Sequence, residues 1–586
     1  MTKSKRTHQF KSLLLFLALA YCSGISAQHL STAIRLNQIG FYPNSTKIAV
    51  LAKDMDGKFM ITTPDLSETL FTGELSGPHK SDYSPSVTRI ADFSQFNKPG
   101  TYVVYIPEAG YSYQFEIKAN VNEELAKGAM KSFYFQRLST PLAYKYAGKW
   151  SRPAGHPDDK VLVHPSAATQ QRPEGTIISS TKGWYDAGDY NKYIVNSGIT
   201  MGTMFSLYEE YPDYCKQVNL DLPESSNTLP DILDELLWNL RWMLTMQDPA
   251  DGGVYHKLTN PSFDGFVMPA EAKAPRYVVQ KSTAAALDFA AVMAQASRIF
   301  KKFPKELPGL ADSCLKASEK AWNWAIANPE VLYRQNEMNT KFKPQVFTGE
   351  YGDGNVKDEF IWAASELYVT TLKDSYYKAV NLFPDNNMPV PSWGNVRLLG
   401  YYTLLRFEKN LTAVAKNDMV TLKKNLTTMA DELIKDSEKN AYSMPMCKDA
   451  RNFVWGSNAV AANQAIALVQ AFRITNDKKY VTGAVQILDY LMGRNATGYS
   501  YVTGFGDKTP MFPHHRPSGA DEILEPIPGL LSGGPNPGKQ DKCEYPSSVP
   551  DEAFVDVTAS YASNEIAINW NSPLVYLIWS LEAIHK

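Results

Sequence analysis

The strongest constraint on what this chain can fold into is a change of hydrophobic period near Asn120. Before it come short runs rich in β-branched and aromatic residues: IRLNQIGFYP, KIAVLA, KFMITT, GTYVVYIP and YSYQFEIKA. They are separated by Gly, Pro, Asn and Asp, as strands are. Their length and spacing over 28–119 predict a small all-β sandwich of immunoglobulin type. After it, NEELAKGAMKSFYFQR (122–137) opens with Asn and two Glu, as a helix does. In PDILDELLWNLRWMLTMQ (230–247), Ile232, Leu233, Leu236, Leu237, Leu240, Met243 and Leu244 recur on one helical face. Similar runs lie near 189–210, 282–300, 312–327, 358–375, 392–408, 418–437, 456–475, 478–493 and 561–584. These eleven segments, with almost no strand signal between them, predict an all-α domain of paired antiparallel helices over 120–586. At 586 residues the chain is too long for one ordinary core, which agrees with two domains.

The first 27 residues read as an export signal. Lys3, Lys5, Arg6 and Lys11 precede LLLFLALAY (13–21), and Ile25-Ser26-Ala27 offers a small residue before the cut. The apolar run is too short to serve as a permanent membrane anchor. Export, whether to the medium, the periplasm or the cell surface, is the expectation. The alternative is lipidation at Cys22 after LAY, against which bulky Tyr21 argues. Cys215, Cys314, Cys447 and Cys543 are far apart and in no CxxC pattern, so buried thiols are expected rather than disulfides. A formal charge of −2, falling to −6 without the leader, gives nucleic acid no basic surface to bind.

Two features stand out as chemistry. GWYDAGDYNK (183–192) sets Asp186 and Asp189 three residues apart. Paired carboxylates repel unless something uses them; capping a helix start is the structural alternative. EAFVDVTASYASNEIAINWNSP (552–573), read as the opening of the last helix, places Glu565 among small, apolar and aromatic residues. Such surroundings help a carboxyl keep its proton and act as a general acid. Between them, residues 505–551 hold nine prolines and six glycines, including PHHRPS, which carries His514, His515 and Arg516. Loops this long are usually binding loops or lids. Adjacent histidines point apart, so sugar recognition suits them better than metal. GxGxxG, GxxxxGK[ST] and HExxH are absent, and GLLSGG is not a GxSxG nucleophile elbow. An acid and a base drawn from distant parts of one domain can meet across a cleft and cleave a glycosidic bond. With 12% aromatic residues the chain has flat faces to offer a sugar.

These patterns resemble glycoside hydrolase family 9, the inverting cellulases and related β-glucanases. SYVTGFGDKTPMFPHHR (500–516) is similar to the family's His-containing pattern, and FVDVTASYASNEIAINWNS (554–572) to its acidic one. GWYDAGDYNKY looks like its DAGD segment. The resemblance implies an (α/α)6 barrel behind an immunoglobulin-like module, and a six-hairpin count one above the eleven helices read here. It implies Asp189 as general base, Asp186 holding the water, and Glu565 as general acid. His514 and Arg516 would hold the sugar, with Trp570, and Trp184 and Tyr190 beside the acids, as further substrate contacts. Inversion needs room for a water, so the carboxyls of Asp189 and Glu565 are expected roughly 6.5–9.5 Å apart.

Two departures from the family's pattern matter. Relatives often carry a structural zinc, but the matching positions here are Leu138 and Gly155; His156, with His164, cannot close a four-coordinate site, so no zinc is expected. Calcium is common in the family, but its ligands are left unassigned here; the reaction itself requires no cofactor. Tyr185 stands where relatives often have His, which is expected to alter a sugar contact. The expected partner is a β-glucan, with the protein a monomer. An endo-acting β-1,4-glucanase is the first reading. A xyloglucan-tolerant endoglucanase, an exo-acting cellodextrinase or a β-glucosaminidase are alternatives, and a non-catalytic glucan-binding protein a distant one. With no appended binding module after the last helix, soluble or amorphous glucans are expected over crystalline cellulose.

Overall fold

The computed structural model describes residues 29–438, 440–448 and 450–586, with the side chains at 447 and 448 excepted. The expected leader, Cys22 and the Cys447 thiol therefore lie outside what is described.

Residues 34–117 form nine short strands in two sheets. β1 (Ile34–Arg35), β3 (Ile48–Leu51) and β6 (Arg89–Asp92) make one, in the order β1-β3-β6. The other runs β2 (Gly40–Phe41), β9 (Phe115–Ile117), β7 (Gly100–Ile106), β4 (Lys58–Thr62), β5 (Thr69–Glu74), with β8 (Gly110–Tyr111) paired to β7. Between the sheets Phe41 meets Phe93 and Phe115 edge-to-face at 5.3 and 5.4 Å, in a core separate from that of the helices. Burying each ring contributes about 1.5–3 kcal/mol. β5 and β6 escape the sequence reading because TLFTGE and RIAD lack a clean apolar alternation: β5 has no buried residue.

Among the described residues the helical part has several helices of four to seven residues between the long ones. Twelve helices, the eleven expected and one of the short ones, build its frame. They are α1 (Glu123–Phe135), α2 (Ile194–Glu210), α3 (Asp231–Thr245), α4 (Thr283–Phe300), α5 (Leu310–Ala327), α6 (Lys357–Thr371), α7 (Asp374–Lys378), α8 (Arg397–Arg406), α9 (Lys416–Glu438), α10 (Ser457–Thr475), α11 (Lys478–Leu491) and α12 (Ile568–His585). Five-residue α7 is too short to show a helical period. Two kinds of helix alternate. α4, TAAALDFAAVMAQASRIF, is apolar all round and has 17 of its 18 residues buried; α5, LADSCLKASEKAWNWAIA, is amphipathic and has seven of 18 buried. The buried helices pack on one another in the order α10-α12-α2-α4-α6-α8, and the amphipathic ones lie outside them.

One expectation fails. Between the helices lies a five-stranded sheet, in the order β11 (Ile177–Ile178), β10 (Val161–Val163), β14 (Tyr277–Val278), β13 (Lys257–Thr259), β12 (Lys192–Tyr193). Two- and three-residue strands carry no readable alternation. β12 follows the paired acids directly and feeds α2, so the sheet fixes where they sit.

The two parts are joined by specific polar contacts. The Tyr42 hydroxyl donates to Glu582 at 2.8 Å and its ring stacks on His585. Gln38 Oε1 accepts the backbone N–H groups of Asp507 and Lys508, both at 2.9 Å, and its Nε2 donates to the Gly498 carbonyl. The sandwich thus holds the start of the Pro/Gly-rich segment that carries His514.

Candidate active site

Asp186 and Asp189 lie on an irregular loop, not at a helix start. α2 begins only at Ile194, after β12, and its N-cap Tyr193 offers no side-chain cap. The loop is pinned by its backbone. Tyr185 N donates to Gln136 O at 2.8 Å, Ile568 N donates to Asp186 O at 2.9 Å, and the Gly188 carbonyl accepts both the backbone N and Nη1 of Arg516. Gly188 is required: a Cβ there would sit 2.1 Å from the His514 carbonyl oxygen.

Glu565 is not on a helix either. The run read as one helix from 561 breaks into Tyr561–Asn564 and α12, with Glu565 extended between them. Its carbonyl accepts Gly533 N at 2.8 Å, and its backbone bridges to His514. The DAGD loop, the His514 segment and the Glu565 strand are therefore knitted by main chain, which sets their spacing whatever the side chains do.

These segments wall a cleft of about 1020 Å³. Asp186, Asp189, Glu565, His514, Arg516 and Trp570 all line it. Asp186 accepts from Asn196 Nδ2 at 2.6 Å and from the Tyr351 hydroxyl at 2.8 Å. Asp189 Oδ2 accepts from Asn191 Nδ2 at 2.6 Å and from the Tyr193 hydroxyl at 3.0 Å. Burial, together with the charge on Asp189, raises Asp186 far above the usual carboxylate range. Burial also raises Glu565 well above it, reinforced by Asp189 and Asp186; Arg516 and the Gly188 N–H pull the other way. The site thus holds two raised carboxyls, Glu565 and Asp186, together with Asp189.

The remaining wall residues divide their functions. His514 Nδ1 donates to the Thr558 carbonyl at 2.7 Å, which leaves Nε2 for the cleft. Arg516 spends Nε on the Asp264 carbonyl and Nη1 on Gly188, so it is a strut as well as a wall residue. Trp570 packs its indole against Gly456 and Gly533; a Cβ at Gly456 would collide with the ring, 2.6 Å from Nε1. His515, between Gln136 and Ser518, is fully buried and away from the cleft.

Three expectations are corrected. Trp184 is core: it is 1% exposed, stacks near Phe133 and donates Nε1 to Glu235 at 2.8 Å. Tyr190 is likewise 1% exposed, its hydroxyl donating to Val267 O. Both rings turn inward and neither lines the cleft. Tyr185 does not change a sugar contact, because it points away from the cleft and bonds His156 Nδ1 at 2.9 Å. Conversely, Phe263, Phe347, Tyr351, Trp393, Trp455 and Tyr561 line the cleft. The sequence reading gave none of them a part in the site. The signal that could have found several is an aromatic beside glycine on a loop, as in GEYGDG, PSWGN and FVWG.

The metal expectations can be tested on donors. Leu138 and Gly155 offer none; His156 is committed to Tyr185, and both ring nitrogens of His164 are bonded, to Ser166 and the Pro344 carbonyl. That set does not fit zinc. A different group has the chemistry for a hard cation: Asp288 on α4, with Asp353, Asp358 and Glu359 at the start of α6, leave six buried carboxylate oxygens without a partner. Burial raises all four, and repulsion from neighbouring acids adds to it at Asp288, Asp353 and Glu359. As positioned, no three His, Cys, Asp or Glu side chains among the described residues could hold a metal ion together. Cys215, Cys314 and Cys543 are free thiols.

The model of glycosyl hydrolase family 9 matches residues 123–578, and that of the cellulase N-terminal Ig-like domain matches residues 29–111. The chain belongs to glycosyl hydrolase family 9. It is 49% identical over 553 residues to a xyloglucan-specific endo-β-1,4-glucanase of Bacteroides ovatus, covering 94% of each chain. It is 36% identical over 554 residues to endoglucanase D of Acetivibrio thermocellus, covering 93% of this chain and 82% of that one. A solved family 9 structure from Bacteroides ovatus superposes with a TM-score of 0.91 at 47% identity, over 95% of this chain and 100% of that one. The family 9 match spans the DAGD loop, the His514 segment and Glu565 alike, and the Ig-like match covers the sandwich from β1 to β8.

Proposed function

We propose that this family 9 chain is an exported endo-β-1,4-glucanase that cleaves glucans with inversion and accepts branched xyloglucan. The observation that carries the reading is the cleft itself, with proton-retaining Glu565 on one wall and the Asp186/Asp189 pair on the other. A glucan chain lies along the aromatic faces, with Trp570 against a ring and His514 Nε2 and Arg516 holding its hydroxyls. Asp189 takes a proton from water that Asp186 orients, while Glu565 gives its proton to the leaving glycosidic oxygen. Water attacks C1 from the face opposite the leaving group, so the anomeric configuration inverts. The xyloglucan preference rests on similarity to the Bacteroides ovatus enzyme.

The ring of buried helices inside amphipathic ones is read as an (α/α)6 barrel over 120–586, after a sandwich over 28–119. The leader 1–27 is read as cleaved after Ala27, with lipidation at Cys22 the alternative; among the described residues no helix is long and apolar enough to cross a membrane. The protein is read as a monomer that uses no zinc and needs no cofactor for the reaction. When calcium binds, Asp288, Asp353, Asp358 and Glu359 would hold it as a structural ion.

The test is a product profile on xyloglucan, mixed-linkage glucan and carboxymethylcellulose. A spread of lengths early in the reaction supports endo action on glucan; a single small product from the start, or no cleavage of any of the three, overturns it.

A further inference from the structure

Beneath the acid pair lies a buried cation that the chemistry so far leaves without a part. Lys257 sits on β13 directly across from Tyr193 on β12. It is fully buried, and its ammonium makes three hydrogen bonds: to Gln335 Oε1 at 2.7 Å, Thr348 Oγ1 at 3.1 Å and the Gly349 carbonyl at 2.6 Å. Three acceptors account for the three protons of the charged form.

One of those bonds starts a chain that ends on Asp189. Thr348 Oγ1 lies 2.6 Å from Thr259 Oγ1, the Thr259 hydroxyl has Asn191 Oδ1 at 3.1 Å and the Asn260 carbonyl at 2.8 Å as acceptors, and Asn191 Nδ2 donates to Asp189 Oδ2 at 2.6 Å. Lys257 can only donate and a carboxylate can only accept, so the two ends of the series are fixed; in the middle Thr259 has one proton to share between Asn191 and the Asn260 carbonyl, and the series points toward Asp189 when that proton is on Asn191. A series of aligned donors in a dry interior polarises along its length and favours negative charge at its end. Asp186 has no such support; its donors are Asn196 and the Tyr351 hydroxyl, both neutral.

We propose that Lys257 is a positioning residue for the proposed base, acting through Thr348, Thr259 and Asn191 to hold Asp189 as the charged member of the acid pair. The inference rests on the assignment of Asp189 above and explains why Asp189, rather than its neighbour three residues earlier, takes the proton. The surroundings make such support necessary. The carboxyls of Asp186, Asp264 and Glu565 face Asp189, with the His514 imidazole and the Tyr193 phenol. Arg516 faces Glu565 and Asp264 instead. Glu350 is the other acid that faces Lys257, and burial pulls the lysine down to about 7. The ammonium is therefore charged throughout the acidic range in which a carboxylate base titrates.

The test is the pH profile of kcat/KM on xyloglucan for the full chain, wild type and variants. In K257M the acid limb moves to higher pH by roughly one unit, kcat below pH 5 falls about tenfold, and KM stays within about twofold. T259V keeps the lysine but cuts the chain, and moves the limb part of the way. K257R keeps the charge and holds the limb near its original place. If K257M does not fold, T259V against wild type carries the comparison. An acid limb unmoved in the folded variants overturns the proposal for Lys257 while an inactive D189N leaves the base assignment standing. An active D189N overturns both.

Discussion

The stretch of cleft wall that carries Asp186 and Asp189 supplies them four hydrogen bonds from side chains; the stretch that carries Glu565 supplies none from a side chain among the described residues, and only the Gly188 N–H and the Arg516 charge oppose its protonation. The difference shows how one low-dielectric cavity can run acid and base chemistry together. Burial disfavours charge on Asp186 and Glu565. Side-chain donors, which oppose protonation, are supplied to the acid pair and withheld from Glu565.

Breaking either wall outright has the largest expected effect. Glu565→Gln or Asp189→Asn lowers kcat on xyloglucan by about 10³-fold, in the range for loss of a general acid or base, with substrate binding retained. Steady-state kinetics with a binding isotherm checks this, and near-normal turnover in either variant removes that residue from the mechanism.

Weakening the base wall comes next. Tyr351→Phe takes one hydrogen bond from Asp186 and lowers kcat about tenfold, the effect of losing a bond of about 1.5 kcal/mol, with KM little changed. An unchanged kcat would mean that Asp186 does not need its orientation fixed.

The acid wall predicts a pH limit. Because Glu565 is raised, the protonated form persists well above the usual carboxyl range, and kcat/KM falls only as pH rises through that raised value. A basic limb near pH 4–5 would contradict the environment described for Glu565.

The four-acid cluster of Asp288, Asp353, Asp358 and Glu359 sharpens the comparison from outside the cleft, since it too is buried but has few donors. Its carboxyls are raised in the folded chain, so the folded state binds these protons more tightly than the unfolded state. Their favourable contribution is present below about pH 4 and is lost as pH rises through the raised values. In chelator, the melting temperature should fall between pH 5 and 8, and calcium should flatten that slope; a melting temperature indifferent to both would remove the cation reading.

The smallest effect separates core from cleft. Tyr190→Phe loses one buried bond, to Val267 O, and costs about 1 kcal/mol of stability with KM unchanged. A several-fold rise in KM would return Tyr190 to the substrate.

Much of this was legible in the sequence, and the reasons differ by residue. The long helices announce themselves because eighteen residues of one period, as in α5, leave little else for the chain to do. The acids and His514 were legible as motifs. What was lost lies where side-chain direction is set by tertiary contacts. Trp184 and Tyr190 flank the acids in sequence but turn inward, and Glu565 sits on an extended break inside what reads as one helix. β12 and β13, two and three residues long, have no period to detect, yet they carry Tyr193 and Lys257 to Asp189.

The most direct test of the division between the two walls is the configuration of the first product. A base that activates water across the cleft from a protonated Glu565 must release the new reducing end as the α-anomer. Proton NMR of the anomeric region during the first minutes of xyloglucan hydrolysis, before mutarotation, should show α-anomer appearing first; β-anomer appearing first would mean retention and would contradict the assignment of Asp189 and Glu565.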